Sequence, residues 1–230
     1  MTHKEQIINE ILSAVTHAIG IGLSIWGLVL LILKGIRTNS ILVAVTVIIY
    51  GITLIGLYLF STLFHSLYFT KLSRIFQCFD HCGINLLIAG TYTPYCLLAI
   101  RGWLGIGMLV VIWVFALGGM AYHLFAKNRQ QRVETLLYVL MGWMCLLGAK
   151  PLLTSLGITS SWLLIAGGVI FTLGALIYSI RNLRFAHVIW HLLVMGGTAC
   201  MFLSIYLFIY FKFIKLWCKR LLLSDHNGTL

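Results

Sequence analysis

Charge is what this chain has least of. Asp, Glu, Lys and Arg make up 9% of its 230 residues, against roughly 25% in an average soluble domain. With 61% hydrophobic residues and a mean hydropathy of +1.02, it has too little polar surface to cover itself in water, and lipid is its natural solvent. Proline is nearly missing, at two residues, and no Ser/Pro/Gly-rich stretch separates the apolar runs. That excludes an interdomain linker and leaves one membrane domain over 1–230. Acids are scarce too: five Asp/Glu face sixteen Lys/Arg, a net charge of +11. In a soluble protein such an excess points to nucleic acid. Here the basic residues sit in short gaps between apolar runs, where they set topology and meet anionic lipid. Membrane lipids are therefore the expected partners, and nucleic acid is not. The six cysteines fall mostly inside or at the edges of apolar runs, where Cys behaves as a small hydrophobe, so no disulfide framework is expected. The N-terminus does not read as a cleavable signal, because Glu5 and Glu10 accompany Lys4 and the following run is long enough to span.

A spanning helix needs about 20 mostly apolar residues. Seven segments approach or meet that length, at about 11–33, 41–64, 82–100, 103–125, 133–150, 160–180 and 187–211, which predicts an all-α seven-helix membrane bundle. The fifth is the weakest, holding Gly142 and Gly148. Arg101 and Gly102 alone join the third to the fourth, as a tight reversal. Loop charge favours a cytoplasmic N-terminus. In that orientation Lys4, Lys71, Arg74, Lys127, Arg129, Arg132, Arg181 and Arg184 lie inside, while only Lys34, Arg37, Arg101 and Lys150 lie in outside loops. The C-terminal Lys212, Lys215, Lys219 and Arg220 run against this N-in, C-out arrangement. The place of such a bundle is the cell membrane.

The titratable groups are distributed unevenly. In a serpentine bundle the starts of odd helices and the ends of even ones share a face. Glu10 and His17 lie near the start of the first helix, His65 ends the second and Asp80–His81 open the third. His123 ends the fourth, Glu134 opens the fifth, and His187 and His191 open the seventh. Every acid and histidine outside the tails therefore falls at one end. Helix-ending polar residues alone would populate both ends, whereas ionisable groups at membrane depth usually mark function.

His187-x-x-x-His191 is the sharpest element. Four residues advance about 400° and about 6 Å, so both imidazoles leave one face and can reach one metal ion, as in His-Glu-x-x-His zinc sites. The spacing alone is weak evidence, and a third ligand must come from another helix; His65 lies at the right depth. Three histidines leave an open position of the catalytic type. They suit other transition metals as well as zinc. Asp80 is either a carboxylate near the metal or an N-cap satisfying free amides. Ser61, one turn from His65, is either a site hydroxyl or one bonded to its own helix backbone. Cys78 and Cys82 flank Asp80 at helical spacing but lack a second thiol pair, which makes a poor structural zinc site. Glu10 and His17 share a helix face and can hydrogen-bond within the site. His81 and His123 read as interfacial polar residues. Pro94 kinks the third helix, with Thr91 and Thr93 available for freed carbonyls. Trp103 and Trp162 read as belt anchors.

These residues, in this order, resemble the haemolysin III family, which is related to the adiponectin and progestin receptors and to alkaline ceramidases. The matching stretches are Glu10 with Thr16-His17-Ala18-Ile19-Gly20, Ser61-Thr62-Leu63-Phe64-His65, Asp80-His81, Ala89-Gly90-Thr91-Tyr92-Thr93-Pro94 and His187-Val188-Ile189-Trp190-His191. The resemblance implies a seven-helix, N-in bundle with zinc near the inner leaflet, His65, His187 and His191 as ligands, and Asp80 and Ser61 as the other site positions. The long N-terminal domain of the animal receptors is absent, so hormone binding is not implied. The family name implies haemolytic or pore-like activity, which no motif here displays. Three functions stay open: a zinc-dependent hydrolase of lipid amides or esters, a membrane-active cytolytic or homeostasis protein, and a sensor whose zinc is purely structural.

Overall fold

Apolar length dictates the architecture. The computed structural model describes residues 2–180 and 184–226, with side chains as far as 214; Arg181 and the side chains of Lys215, Lys219 and Arg220 lie outside the described residues. The order is α1 (His3–Arg37), α2 (Ile41–Ser66), α3 (Ser73–Pro94), α4 (Gly102–Phe125), α5 (Gln131–Trp143), α6 (Ala149–Leu156), α7 (Ile158–Ser179) and α8 (Ala186–His226), with no strand among the described residues. A π-helical turn, Tyr95–Ile100, prolongs α3, and a 3₁₀ turn, Met144–Gly148, joins α5 to α6. Counted as continuous rods, these make seven helices long and apolar enough to cross a bilayer.

α1 packs on α2 and α8, α2 on α3, α3 on α4, and α7 on α8. The third span is central: 72% of its apolar window is buried, against 17% in the fifth. Polarity is arranged for lipid. The buried residues of α1 are Asn9, Glu10, Ser13, His17, Gly20, Ser24, Gly27, Leu31 and Gly35, a small-and-polar face at helical spacing, while Ile11, Val15, Ile19 and Trp26 are exposed. Small residues let helix backbones approach closely. At Gly83 an added Cβ would lie 3.3 Å from Leu57 Cα, so this glycine brings α3 close to α2 one turn beyond Asp80.

Several elements differ from the sequence expectation. α3 begins at Ser73, not near 82, because its first two turns carry Ser73, Arg74 and Gln77 and dilute the apolar signal. The last helix continues to His226; its 41 residues make about 60 Å at 1.5 Å each, twice the hydrocarbon thickness. The fifth span is broken where Tyr92 of α3 enters its ladder. The Tyr92 hydroxyl donates to the Gly142 carbonyl (2.8 Å) and accepts from the Cys145 amide (2.7 Å), an inserted side chain of the kind that interrupts helices. Pro94 is followed by the π-helical turn. Thr91 and Thr93 donate to the Leu87 and Ala89 carbonyls, not to Gly90, whose carbonyl the proline leaves without its usual partner. The tight reversal is present: Arg101 and Gly102 both have φ of 60°. Trp103 and Trp162, near the starts of α4 and α7, are exposed, as belt anchors are.

Candidate metal centre

Three helices build the centre. α1 contributes Glu10, Ser13 and His17 along one face, α2 contributes Ser61 and His65 one turn apart, and α8 contributes His187 and His191. The His187 Nε2 lies 3.0 Å from His65 Nε2 and 3.1 Å from His191 Nε2. Among the described residues, these three form the one group of His, Cys, Asp or Glu side chains whose ligand atoms converge, all within 4.8 Å of one another. His65 and His191 are buried and His187 half-buried. The i, i+4 pair and its partner from the second helix therefore meet as expected, and Cys78 and Cys82 do not join them.

The protonation pattern can be read from the outer contacts. His191 Nδ1 is 3.3 Å from the Ser13 carbonyl, which only accepts, so Nδ1 carries the proton and Nε2 a lone pair. His65 Nδ1 is 2.6 Å from Glu10 Oε2, which fixes the same tautomer while the carboxylate is ionised. His187 Nε2 can donate to only one of them. At least one of these two contacts of about 3 Å thus has no hydrogen between its nitrogens, an arrangement that a cation relieves. A tetrahedral site with metal–nitrogen bonds of about 2.0–2.1 Å has edges of about 3.3 Å, close to the two shorter separations. Imidazole donors oriented by a carboxylate and a carbonyl fit a transition-metal ion.

Asp80 lies in the third turn of α3, seven residues after Ser73, so the N-cap alternative falls. Its buried carboxylate is not among the converging ligands. The Ser61 hydroxyl is fully buried and has no hydrogen-bond partner, so it is not bonded back to its own helix. Both side chains line a cavity of about 220 Å³ together with His17 and His191. Beyond that polar end the walls are apolar, with Leu87, Ile88, Leu164 and Phe171 among them. A second cavity of about 30 Å³, lined by Asp80, His81, Glu134, Tyr138 and His187, admits water on Asp80's other side.

His17 does not bond Glu10. Its ring stacks on His191 at 3.7 Å and 10°. His81 and His123 pack against each other inside the bundle end. His123 is buried, bonded to Glu134 Oε1 at 2.7 Å and to Arg129 Nη1 at 3.1 Å, and stacked on His81 at 4.7 Å. Sequence reasoning missed this network, and also Tyr138 and Trp190, which line both cavities. The one available signal was the placement of Trp190 inside the His-x-x-x-His turn.

A family model described as haemolysin-III related matches residues 5–202. This chain belongs to the haemolysin III family. It is 40% identical over 210 residues to Hemolysin-3 of Bacillus cereus, covering 91% of this chain and 96% of that one. It is 40% identical over 199 residues to a Hemolysin-3 homolog of Bacillus subtilis (strain 168), covering 86% and 93%. Human monocyte to macrophage differentiation factor is 31% identical over 172 residues, 72% of this chain and 71% of that one. The family match spans every residue of the centre.

Proposed function

We propose that this haemolysin III family protein is a zinc-dependent membrane hydrolase that cleaves an amide or ester of an acyl lipid at the cytoplasmic end of the bundle. One observation carries the reading: a largely apolar cavity is lined by Asp80, Ser61 and His191, one of the three converging histidines. His65, His187 and His191 would hold a zinc ion, which would supply the Lewis acidity that polarises a carbonyl and acidifies water. Asp80, reached from both cavities, takes a proton from water as the water oxygen bonds to the carbonyl carbon. It returns that proton to the leaving nitrogen or oxygen as the old bond breaks. The unpartnered Ser61 hydroxyl donates to the carbonyl oxygen as negative charge grows there. The apolar walls hold the acyl chain and keep bulk water away.

The chain acts as one unit with its N-terminus inside, a reading supported by eight basic residues in inside segments against four in outside loops. A reporter fused after Lys71 is then cytoplasmic and one at Asn39 is external; both on one side overturns the topology.

The runner-up is a structural metal. It is favoured by the way His65 ties α2 to α8 through His187 and His191, so that metal would stabilise only the folded bundle. The cytolytic reading rests on the name of the Bacillus cereus relative, Hemolysin-3. The polar face of α1 gives way to Leu31 before the far end, which argues against a continuous polar pore along it. Zinc-loaded protein reconstituted in liposomes, assayed in parallel for acyl release and ion leakage, separates the three. Release without leakage supports the hydrolase, leakage alone the cytolytic protein, and neither the structural metal.

A further inference from the structure

Four of the five other histidines at this end are committed to protein partners or the candidate metal cluster through a ring nitrogen: His65 to Glu10, His191 to the Ser13 carbonyl, His123 to Glu134 and Arg129, and His81 to the Gln77 carbonyl. The fifth, His187, faces His65 and His191. His17 differs. It is 2% exposed, and neither ring nitrogen has a hydrogen-bond partner. It is not one of the three converging ligands.

The ring is nevertheless held in place. One face stacks on His191, and Tyr58 stands edge-on at 5.0 Å and 80°. Tyr58 does not serve it: its hydroxyl is bonded to Thr198, and neither nitrogen of His17 has it as a partner. An added Cβ at Gly20, one turn along α1, would lie 2.6 Å from the Tyr58 ring, so the absence of a side chain there lets Tyr58 sit where it flanks His17. Burying an imidazole with both nitrogens unpartnered is costly, and this one is fixed against the wall of the large cavity. The Ser61 hydroxyl, 0% exposed and also unpartnered, lines the same end.

We propose that His17, with Ser61, is the hydrogen-bonding subsite for the polar head of the molecule that fills the apolar cavity. A neutral imidazole offers one N–H donor and one acceptor lone pair. A head bearing an amide, hydroxyl or acid group satisfies them, and a hydrocarbon end does not. His17 is then a positioning residue that sets the carbonyl beside Asp80 and the histidine cluster and selects polar-headed chains over bare ones. The inference rests on the acyl-cavity reading above.

The test reads binding, not turnover. Trp143 and Trp190 line the cavity, so quenching of tryptophan fluorescence by brominated stearamide and by brominated octadecane reports its occupancy in detergent-solubilised, zinc-loaded protein. Wild type binds the amide about tenfold more tightly than the alkane. His17→Phe keeps a ring for the stack, holds its zinc, binds the alkane as before and loses the preference. His17→Gln, which keeps a donor and an acceptor, restores part of it. Equal weakening of both probes in His17→Phe, or an undiminished preference in both variants, overturns the proposal. Wild type binding both probes alike also overturns it while leaving the acyl cavity standing. Wild type binding neither removes the cavity reading and the subsite together.

Discussion

Two histidine clusters lie at the same end of this bundle, and they use the same residue types to opposite ends. Around His123 the protein is its own partner: Nδ1–H donates to Glu134, Arg129 donates to Nε2, and His81 covers the ring. Around His187 the ring nitrogens turn toward one another, and the outer contacts, Glu10 and the Ser13 carbonyl, fix the protons on the far side. The first cluster is complete as a hydrogen-bonded network. The second brings three ligand nitrogens together at a spacing that could hold a cation. Counting histidines and acids does not distinguish them; the direction in which each lone pair points does.

The comparison can be broken at several points. The largest effect is expected at Asp80, which belongs to neither cluster but lies between them. Asp80→Asn is nearly isosteric and interrupts no cap, so zinc content is retained while turnover of a cleavable acyl lipid falls by about 10²–10⁴-fold. Full activity in that variant removes Asp80 as the base. Next comes Glu10→Gln, which leaves the three nitrogens in place but weakens the contact that orients His65. Outer partners of metal-bound histidines typically contribute 10–100-fold to affinity, and a zinc competition titration should show a loss of about that size. An unchanged affinity would mean that Glu10 merely fills space. Smaller still is His123→Leu, which strands the buried Glu134 carboxylate. Removing one partner from a hydrogen bond to a charged group costs about 1.5–3 kcal/mol, visible as earlier thermal unfolding with zinc affinity untouched. A drop in zinc affinity there would show the two clusters to be coupled through Asp80 and the small cavity they share.

Much of this was legible in the sequence, because hydropathy is a one-dimensional property. The seven spans follow from apolar run length, and the His187–His191 face follows from helical spacing. The gathering of titratable groups at one end follows from strand-like alternation of up and down helices. What depends on how two helices meet was not legible. Glu10 could be placed on the His17 face of α1, but its bond to His65 needs the α1–α2 crossing. His123 and Glu134 are eleven residues apart on either side of a turn, and only the angle of α5 brings them together. Asp80 was misplaced for a different reason. The first turns of α3 are polar although helical, so apolar content puts the helix start too late and makes an interior carboxylate look like a cap. The Tyr92 insertion into the fifth span likewise comes from α3, which no local pattern in Met144–Gly148 announces.

The central claim is that the lone pairs converging from His65, His187 and His191 hold a metal ion and that the neighbouring histidines do not. Metal analysis of purified wild type, His187→Ala and His123→Ala, prepared side by side in the same detergent, tests it most directly. The account predicts close to one zinc per chain in wild type and His123→Ala and little in His187→Ala. Equal zinc in all three, or a loss confined to His123→Ala, would contradict it.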